Sequence, residues 1–262
     1  MSLVSIITPT FNSLTTLKES LDSILAQTHR PLEIIVIDDG STDGSYAFAK
    51  AYAAKNTSSE LTFINLKNAS NSGAGITRNK GVEAATGTYI AFLDADDLWK
   101  PHKLEVQLQA MKKQQATFCY GAYEIFKSSP DQPEFIHQVF EKLTFQKLLK
   151  ANYLGNLTGI YNAKKLGKFY MPALRKRQDW AMWLDVIQQA GFAIGIQEPI
   201  ASYRLADDGL SSNKLNLIPY NYAVYKKHLG YSSLKSSWML CRFFYEQFFV
   251  KGNMKLKIRP HS

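Results

Sequence analysis

The sequence of 262 residues predicts an α/β fold, with a mostly parallel central sheet flanked by helices and a helical C-terminal extension. Short, almost wholly apolar runs alternate with segments whose apolar residues recur at helical spacing, and the connections between them are short. Three of the apolar runs also end in polar clusters. Ligands of such sheets bind outside the carboxyl ends of the strands, so these clusters should converge on one cleft.

Leu3 to Thr8 reads as a short buried strand that stops at Pro9. Leu14, Leu17, Leu21, Ile24 and Leu25 then repeat at helical spacing, giving an amphipathic helix over Thr15 to Gln27. Glu33 to Asp38 is a second strand, and the turn Gly40-Ser41-Thr42-Asp43-Gly44 leads into a helix over Ser45 to Lys55. A third strand spans Leu61 to Leu66, a helix Gly75 to Ala85, a fourth strand Tyr89 to Leu93 and a helix Lys103 to Lys113, after which Thr117 to Tyr120 begins another strand.

Composition excludes several classes. With 45% hydrophobic and 20% charged residues, the chain is neither disordered nor a charged coiled coil. Cys119 and Cys241 are too few and too far apart for a disulfide framework or a CxxC metal cluster. No run approaches the ~18 apolar residues of a membrane span, and the start Met1-Ser2-Leu3-Val4 has no basic region or cleavage site. A cytoplasmic location is expected. The net charge of +9 is unevenly distributed: residues 213–262 hold nine Lys and Arg against one acid, Glu246. A basic end of this kind suits an anionic partner, either nucleic acid or a membrane surface.

Asp94-Ala95-Asp96-Asp97 carries the clearest chemical signal, with three carboxylates in four residues directly after a buried strand. They repel one another unless neutralised, and hard oxygen ligands suit Mg²⁺ or Mn²⁺ beside substrate phosphates. A solvated turn or helix cap is the structural alternative. Asp38-Asp39-Gly40-Ser41 also allows two readings, a turn or a carboxylate that accepts from a nucleobase N–H. Asn71 to Gly81 joins a glycine-bearing loop to a helix start with Arg78 and Lys80, which favours anions or serves as a connector.

Taken together, these segments resemble the family 2 inverting glycosyltransferases of the GT-A fold, of the bacterial surface-polysaccharide type. The matching residues are Val4 to Asn12, Ser23 to Thr28, Ile37 to Asp43, Arg78-Asn79-Lys80-Gly81 and Gly87 to Asp97, in order over residues 1–110. The resemblance implies a donor-nucleotide half over 1–110, an acceptor half over 111–212, and an extension over 213–262. It implies that Asp38 and Asp39 contact the nucleobase of a nucleotide-sugar, in a pocket walled by Thr8 and Pro9. Asp94, Ala95 and Asp96 would form the DXD motif, Asp96 binding a divalent Mn²⁺ or Mg²⁺ and Asp94 holding metal, ribose or sugar. Arg78 would lie near the donor.

In the second half, Arg177-Gln178-Asp179-Trp180 matches the place of the family's catalytic base, making Asp179 the candidate to deprotonate an acceptor hydroxyl. A helix N-cap is its structural alternative. Gly155 to Gly159 would line the acceptor side. Tyr203-Arg204 with Ser211-Ser212 resembles a further family segment in which Arg204 contacts the diphosphate, although Asp207-Asp208 stand where a His is often found.

In the extension, Leu234, Trp238, Cys241, Tyr245 and Phe248 recur at helical intervals over 232–250, flanked by Lys251, Lys255, Lys257 and Arg259. The segment reads either as an interfacial helix on anionic lipid or as a helix packed on the catalytic domain. No motif supports nucleic acid. The expected activity is metal-dependent, inverting transfer from a nucleotide-diphospho-sugar, a UDP-sugar first, to a glycan or lipid-linked acceptor, peripheral at the inner face of the plasma membrane. The alternative is a catalytically silent sugar-nucleotide or glycan-binding module. A nicotinamide oxidoreductase is disfavoured because the glycine fingerprint is missing.

Overall fold

A computed structural model describes residues 1–205 and 217–258. The first half runs β1 (Val4–Thr10), α1 (Leu14–Leu25), β2 (Leu32–Asp38), α2 (Ser45–Asn56), β3 (Leu61–Lys67), α3 (Ala74–Ala84), β4 (Tyr89–Phe92), β5 (Leu98–Trp99), α4 (Lys103–Lys113) and β6 (Phe118–Phe126). Each predicted element is present, with no end shifted by more than two residues and the helix over Lys103–Lys113 unshifted. There follow β7 (Phe135–His137), β8 (Lys142–Thr144), α5 (Phe145–Leu148), β9 (Ile160–Asn162), α6 (Ala163–Leu166), α7 (Gln178–Ala190) and β10 (Phe192–Arg204). The extension contains α8 (Ile218–Ala223), α9 (Ser233–Phe249) and β11 (Lys255–Lys257).

The sheet is parallel where strands and helices alternate in sequence. In the order β3-β2-β1-β4 every neighbouring pair is parallel, because a helix crosses over before each new strand. Beyond β4 it becomes mixed: β9 is antiparallel to β4 and β6, β7 is antiparallel to β6, and β10 runs parallel to β6 but antiparallel to β5 and β8. Because β1 lies between β2 and β4, the chain reverses its winding direction there. The crevice at their carboxyl ends is a topological switch point.

The first strand does not stop at Pro9. It continues to Thr10, pairing Pro9 with Ile37 and Thr10 with Asp38 of β2. The Ile7 carbonyl accepts from Leu93 N on the β4 side, so Pro9, two residues on, turns its missing N–H to that side, where pairing with β4 has ended at Ile7.

Apolar residues fill both faces. Leu17, Leu21, Ile34, Val36 and Leu104 pack under α1, α2 and α4, while Val82, Phe92, Trp180, Trp183 and Phe243 join α3, α7 and α9 on the other face. The expected acceptor-side turn at 155–159 belongs to this interior. Leu157 and Thr158 are buried, and the Trp183 indole lies against Gly159 and donates to Asn156 Oδ1 at 3.3 Å.

The extension is integral to the fold. Ser236, Met239, Phe243 and Glu246 of α9 are buried, and Glu246 accepts from the Tyr153 hydroxyl at 2.6 Å and from Lys147 Nζ. β11, which the sequence pattern does not predict, pairs antiparallel with β7 at the sheet edge. Among the described residues, no helix is long and apolar enough to cross a membrane.

Candidate functional site

Residues 38–41 organise the end of β2. Asp38 Oδ2 accepts from Ser41 N at 3.0 Å, closing the turn. Asp39 reaches across to the loop before α3: Oδ1 accepts from Asn68 Nδ2 and Ser72 N, both at 2.8 Å, and Oδ2 from Gly73 N at 2.9 Å. A carboxylate has about four acceptor positions, so one remains, on Oδ2. Gly40 has φ +78°, and a Cβ there would stand 3.0 Å from the backbone of Ser70 and Asn71. Only glycine lets these two loops meet.

Arg78-Asn79-Lys80-Gly81 joins the two halves, with each residue bonded in a different direction. Arg78 forks onto Asp94, with NH2 to Oδ1 and Oδ2 at 2.6 and 2.7 Å and Nε to Oδ1 at 3.2 Å. Asn79 exchanges two bonds with the backbone of Met171, at 2.7 and 2.8 Å. Lys80 Nζ donates to the Lys67 carbonyl and Asn68 Oδ1. Gly81 packs so closely on the sheet that a Cβ would lie 2.6 Å from Ile7 and 2.7 Å from Ile37.

The three acids after β4 have separate environments. Asp94 is neutralised by Arg78. Asp97 is buried and accepts from Arg204 N at 3.0 Å; burial, then the charges of Asp96 and Asp94, hold its pKa well above the ordinary carboxylate value. Asp96 is exposed, and no side-chain hydrogen bond or ion pair with another described residue holds it. Its pKa is also raised, by desolvation and then by Asp94. Ala95 between them is buried, so Asp94 and Asp96 diverge around it. A cation at Asp96 would relieve this crowding, and hard carboxylate oxygens suit Mg²⁺ or Mn²⁺ when substrate phosphates supply further ligands. Among the described residues no three acid, His or Cys side chains form a metal cage.

Asp179 lies in the first turn of α7, half-buried, and Asn152 Nδ2 donates to its Oδ2 at 3.2 Å. Burial alone would lower the pKa of Arg78, but Asp94, and behind it Asp179 and Asp96, raise it instead. One buried guanidinium therefore lies in the electrostatic field of Asp179 and of both acids of Asp94-Ala95-Asp96. The N-termini of α3 and α7 also meet: a Cβ on Gly75 would lie 3.2 Å from the Gln178 side chain.

Arg204 closes the opposite side. Its Nε donates to the Asp96 carbonyl at 3.0 Å, NH2 pairs with Glu19 on α1, and the guanidinium lies 4.7 Å from the centre of the Phe126 ring. Thr8 and Thr10 of β1 are buried beside Asp38, and Thr8 Oγ1, Thr10 Oγ1 and Asp38 Oδ1 have no hydrogen-bond partner among the described residues. Asp207, Asp208, Ser211, Ser212 and Arg259 lie outside the described residues, as does the expected boundary at 212.

The structure thus brings Arg78, Asp94, Asp96, Asp179 and Arg204 together at the switch point, with Asp38 and Asp39 in the adjoining loop. Asn152, Glu19, Met171 and Gln178 were not legible as site residues. Asn152, Glu19 and Met171 are isolated residues without a motif that meet the site across a long sequence separation, and Gln178, although it stands in the segment before Trp180, gives no sign in the sequence that it packs against Gly75.

The pattern that describes Glycosyl transferase family 2 matches residues 5–172. The chain is 34% identical over 242 residues to TuaG of Bacillus subtilis, a glycosyltransferase assigned to teichuronic acid biosynthesis, covering 92% of this chain and 94% of that one. It is 35% identical over 223 residues, 85% of each chain, to Escherichia coli WfgD, a UDP-Glc:α-D-GlcNAc-diphosphoundecaprenol β-1,3-glucosyltransferase. Among solved structures, S. aureus TarS in complex with UDP-GlcNAc superposes with a TM-score of 0.71 at 19% identity, covering 94% of this chain and 73% of that one. The mannosyltransferase PcManGT of Pyrobaculum calidifontis, in complex with GDP-Man and Mn²⁺, gives 0.64 at 17% identity, covering 93% and 73%.

Proposed function

The chain belongs to glycosyl transferase family 2, and from that premise we propose that it transfers a sugar from a UDP-sugar to a lipid-linked glycan, with inversion, in envelope polysaccharide assembly at the inner face of the plasma membrane. The observation that carries this reading is the buried Arg78 guanidinium, forked onto Asp94 and within electrostatic reach of Asp96 and Asp179. The names of TuaG and WfgD and the nucleotide-sugar bound to TarS support the acceptor and donor classes.

Asp39 uses three acceptor positions to shape the loop before α3, and its fourth is available to a nucleobase N–H. Thr8 and Pro9 wall that pocket, and Asp38 holds its turn. Asp96, with the remaining lone pair of Asp94, would hold Mn²⁺ or Mg²⁺. When bound, the cation stabilises negative charge on the departing diphosphate. Arg78 fixes the orientation of the Asp94 carboxylate through its forked contact. Arg204, lying against Asp96, would exchange its exposed partner Glu19 for the diphosphate.

Asp179 takes the proton from the acceptor hydroxyl as its oxygen attacks the anomeric carbon on the face opposite the leaving group. Asn152 orients that carboxylate. A single displacement of this kind inverts the centre without a covalent enzyme intermediate.

The test is a UDP-release assay with a panel of UDP-sugars, a diphosphate-lipid-linked acceptor, and Mn²⁺ or EDTA. Metal-dependent, acceptor-dependent release with one donor is the expected result. Tight UDP binding without transfer from any donor would instead identify a silent binding module.

A further inference from the structure

The buried and exposed sides of α9 are sharply different. At about 100° per residue, Ser236, Met239, Phe243 and Glu246 fall on one arc, which packs on the core. Leu234, Trp238, Cys241, Tyr245, Phe248 and Phe249 fall on the opposite arc, within about 100° of one another. All are exposed, Leu234 at 85%, Trp238 at 62%, Tyr245 at 63%, and Phe248 and Phe249 at 66%. Their combined area is on the order of 700 Å², above the few hundred Å² that soluble monomers ordinarily leave in one apolar patch.

The exposed charges that α9 itself carries have one sign. Lys235 and Arg242 line one edge of the exposed arc on the helix itself, and exposed Lys255 and Lys257 follow in β11. The helix has a single acid, Glu246, which is turned inward and tied to Lys147 and Tyr153. Two copies meeting through this face would bring Lys and Arg together with no acid from the helix to offset them. An anionic lipid surface meets both requirements, because aromatic rings enter the interface while cations remain at the headgroups.

We propose that the outer face of α9 is a docking surface for an anionic lipid bilayer, with Trp238, Tyr245 and Phe248 as anchors and Lys235 and Arg242 as headgroup contacts. It rests on the lipid-linked acceptor of the preceding reading for its purpose only. The inner side of the same helix reaches the acceptor half. Phe243 packs 5.6 Å from Trp180, the neighbour of Asp179, and Lys251 Nζ, just beyond the helix, donates to the carbonyl of Asn152, whose side chain holds Asp179. The bilayer surface would therefore lie about one helix thickness, ~10 Å, from the helix that carries the base.

The full chain is sedimented with phosphatidylcholine vesicles, with and without about 30 mol% phosphatidylglycerol, whose negative surface potential attracts basic side chains. Wild type is compared with W238S/F248S and with K235E/R242E. The expected result is pelleting on the anionic vesicles only, reduced at least tenfold by either double substitution, while the thermal midpoint and transfer to a short-chain soluble acceptor are retained. Equal pelleting of all three forms would overturn the proposal. So would a wild-type dimer in light scattering that W238S/F248S dissolves, which would assign the face to a second copy. Loss of soluble-acceptor transfer in every form, with vesicle binding intact, would count against the transferase reading and leave the docking surface standing.

Discussion

Lys103 is wholly buried at the start of α4, with its ammonium 3.9 Å from the centre of the Trp99 ring and 2.7 Å from Gln107 Oε1. Burial pushes its pKa down to about 7 from an ordinary 10.5. The unfolded chain therefore binds an extra proton between those values, and stability rises with pH through that window, by about 1.4 kcal/mol per pH unit. Over the whole window the cost of burying this amine reaches on the order of 5 kcal/mol at the acid end. Lys103→Met removes the titration while filling a similar volume. For a chain of this size that slope corresponds to roughly 3–5 °C per pH unit. Thermal melts of both proteins at half-unit steps from pH 7 to 9.5 should show the wild-type midpoint rising relative to the variant by that amount. Parallel melting curves across the series would mean that Lys103 remains charged in the fold, contrary to the burial effect. The cluster supports the site: Trp99 Nε1 and Gln107 Nε2 hold the carbonyls of Leu157 and Thr158 in the turn beneath Trp183 of α7.

Other positions give independent checks. Asp39→Asn puts an amide against the N–H groups of Ser72 and Gly73, losing at least one charge-assisted bond of about 1.5–3 kcal/mol, and UDP titration should show at least a tenfold loss of affinity; unchanged affinity would contradict the role given to the loop. Arg78→Lys exchanges a forked contact with Asp94 for a point charge, so the thermal midpoint should fall by an amount equivalent to about 1–3 kcal/mol, whereas a wild-type midpoint would mean that the fork contributes nothing. Gly81→Ala forces a methyl to within 2.6 Å of Ile7, and overpacking of about 1–3 kcal/mol should appear in the same melts.

Much of the fold was legible because the central strands are buried on both faces and read as unbroken apolar runs. Ile34 to Ile37 leaves no other reading, and the turn residues after it mark the end of the strand. Pro9 misled because a missing N–H matters only where a neighbour strand needs it, and strand pairing is not visible in a single segment. The mixed second half was hidden for a similar reason, as β7, β8 and β9 are three residues each and owe their pairing to partners far along the chain.

The site was legible in its acids and not in what holds them. The sequence places three carboxylates together, but only the fold shows Asp94 neutralised by Arg78, Asp97 buried and Asp96 exposed. Lys103 carries no pattern that distinguishes a buried lysine from a solvated one. For α9 the two sequence readings address opposite faces of one helix: Met239 and Phe243 pack inward, while Trp238 and Tyr245 stay outside.

The central claim is that Asp179 is the base of a sugar transfer assembled around Arg78. Its most direct measurement is steady-state transfer by Asp179→Asn at saturating donor, acceptor and Mn²⁺. General-base catalysis contributes on the order of 10²–10⁴-fold. A fall in kcat of that size is expected, with the donor KM within about threefold of wild type, because Asn still accepts from Asn152 and the nucleotide loop is untouched. A variant with wild-type kcat would contradict that claim.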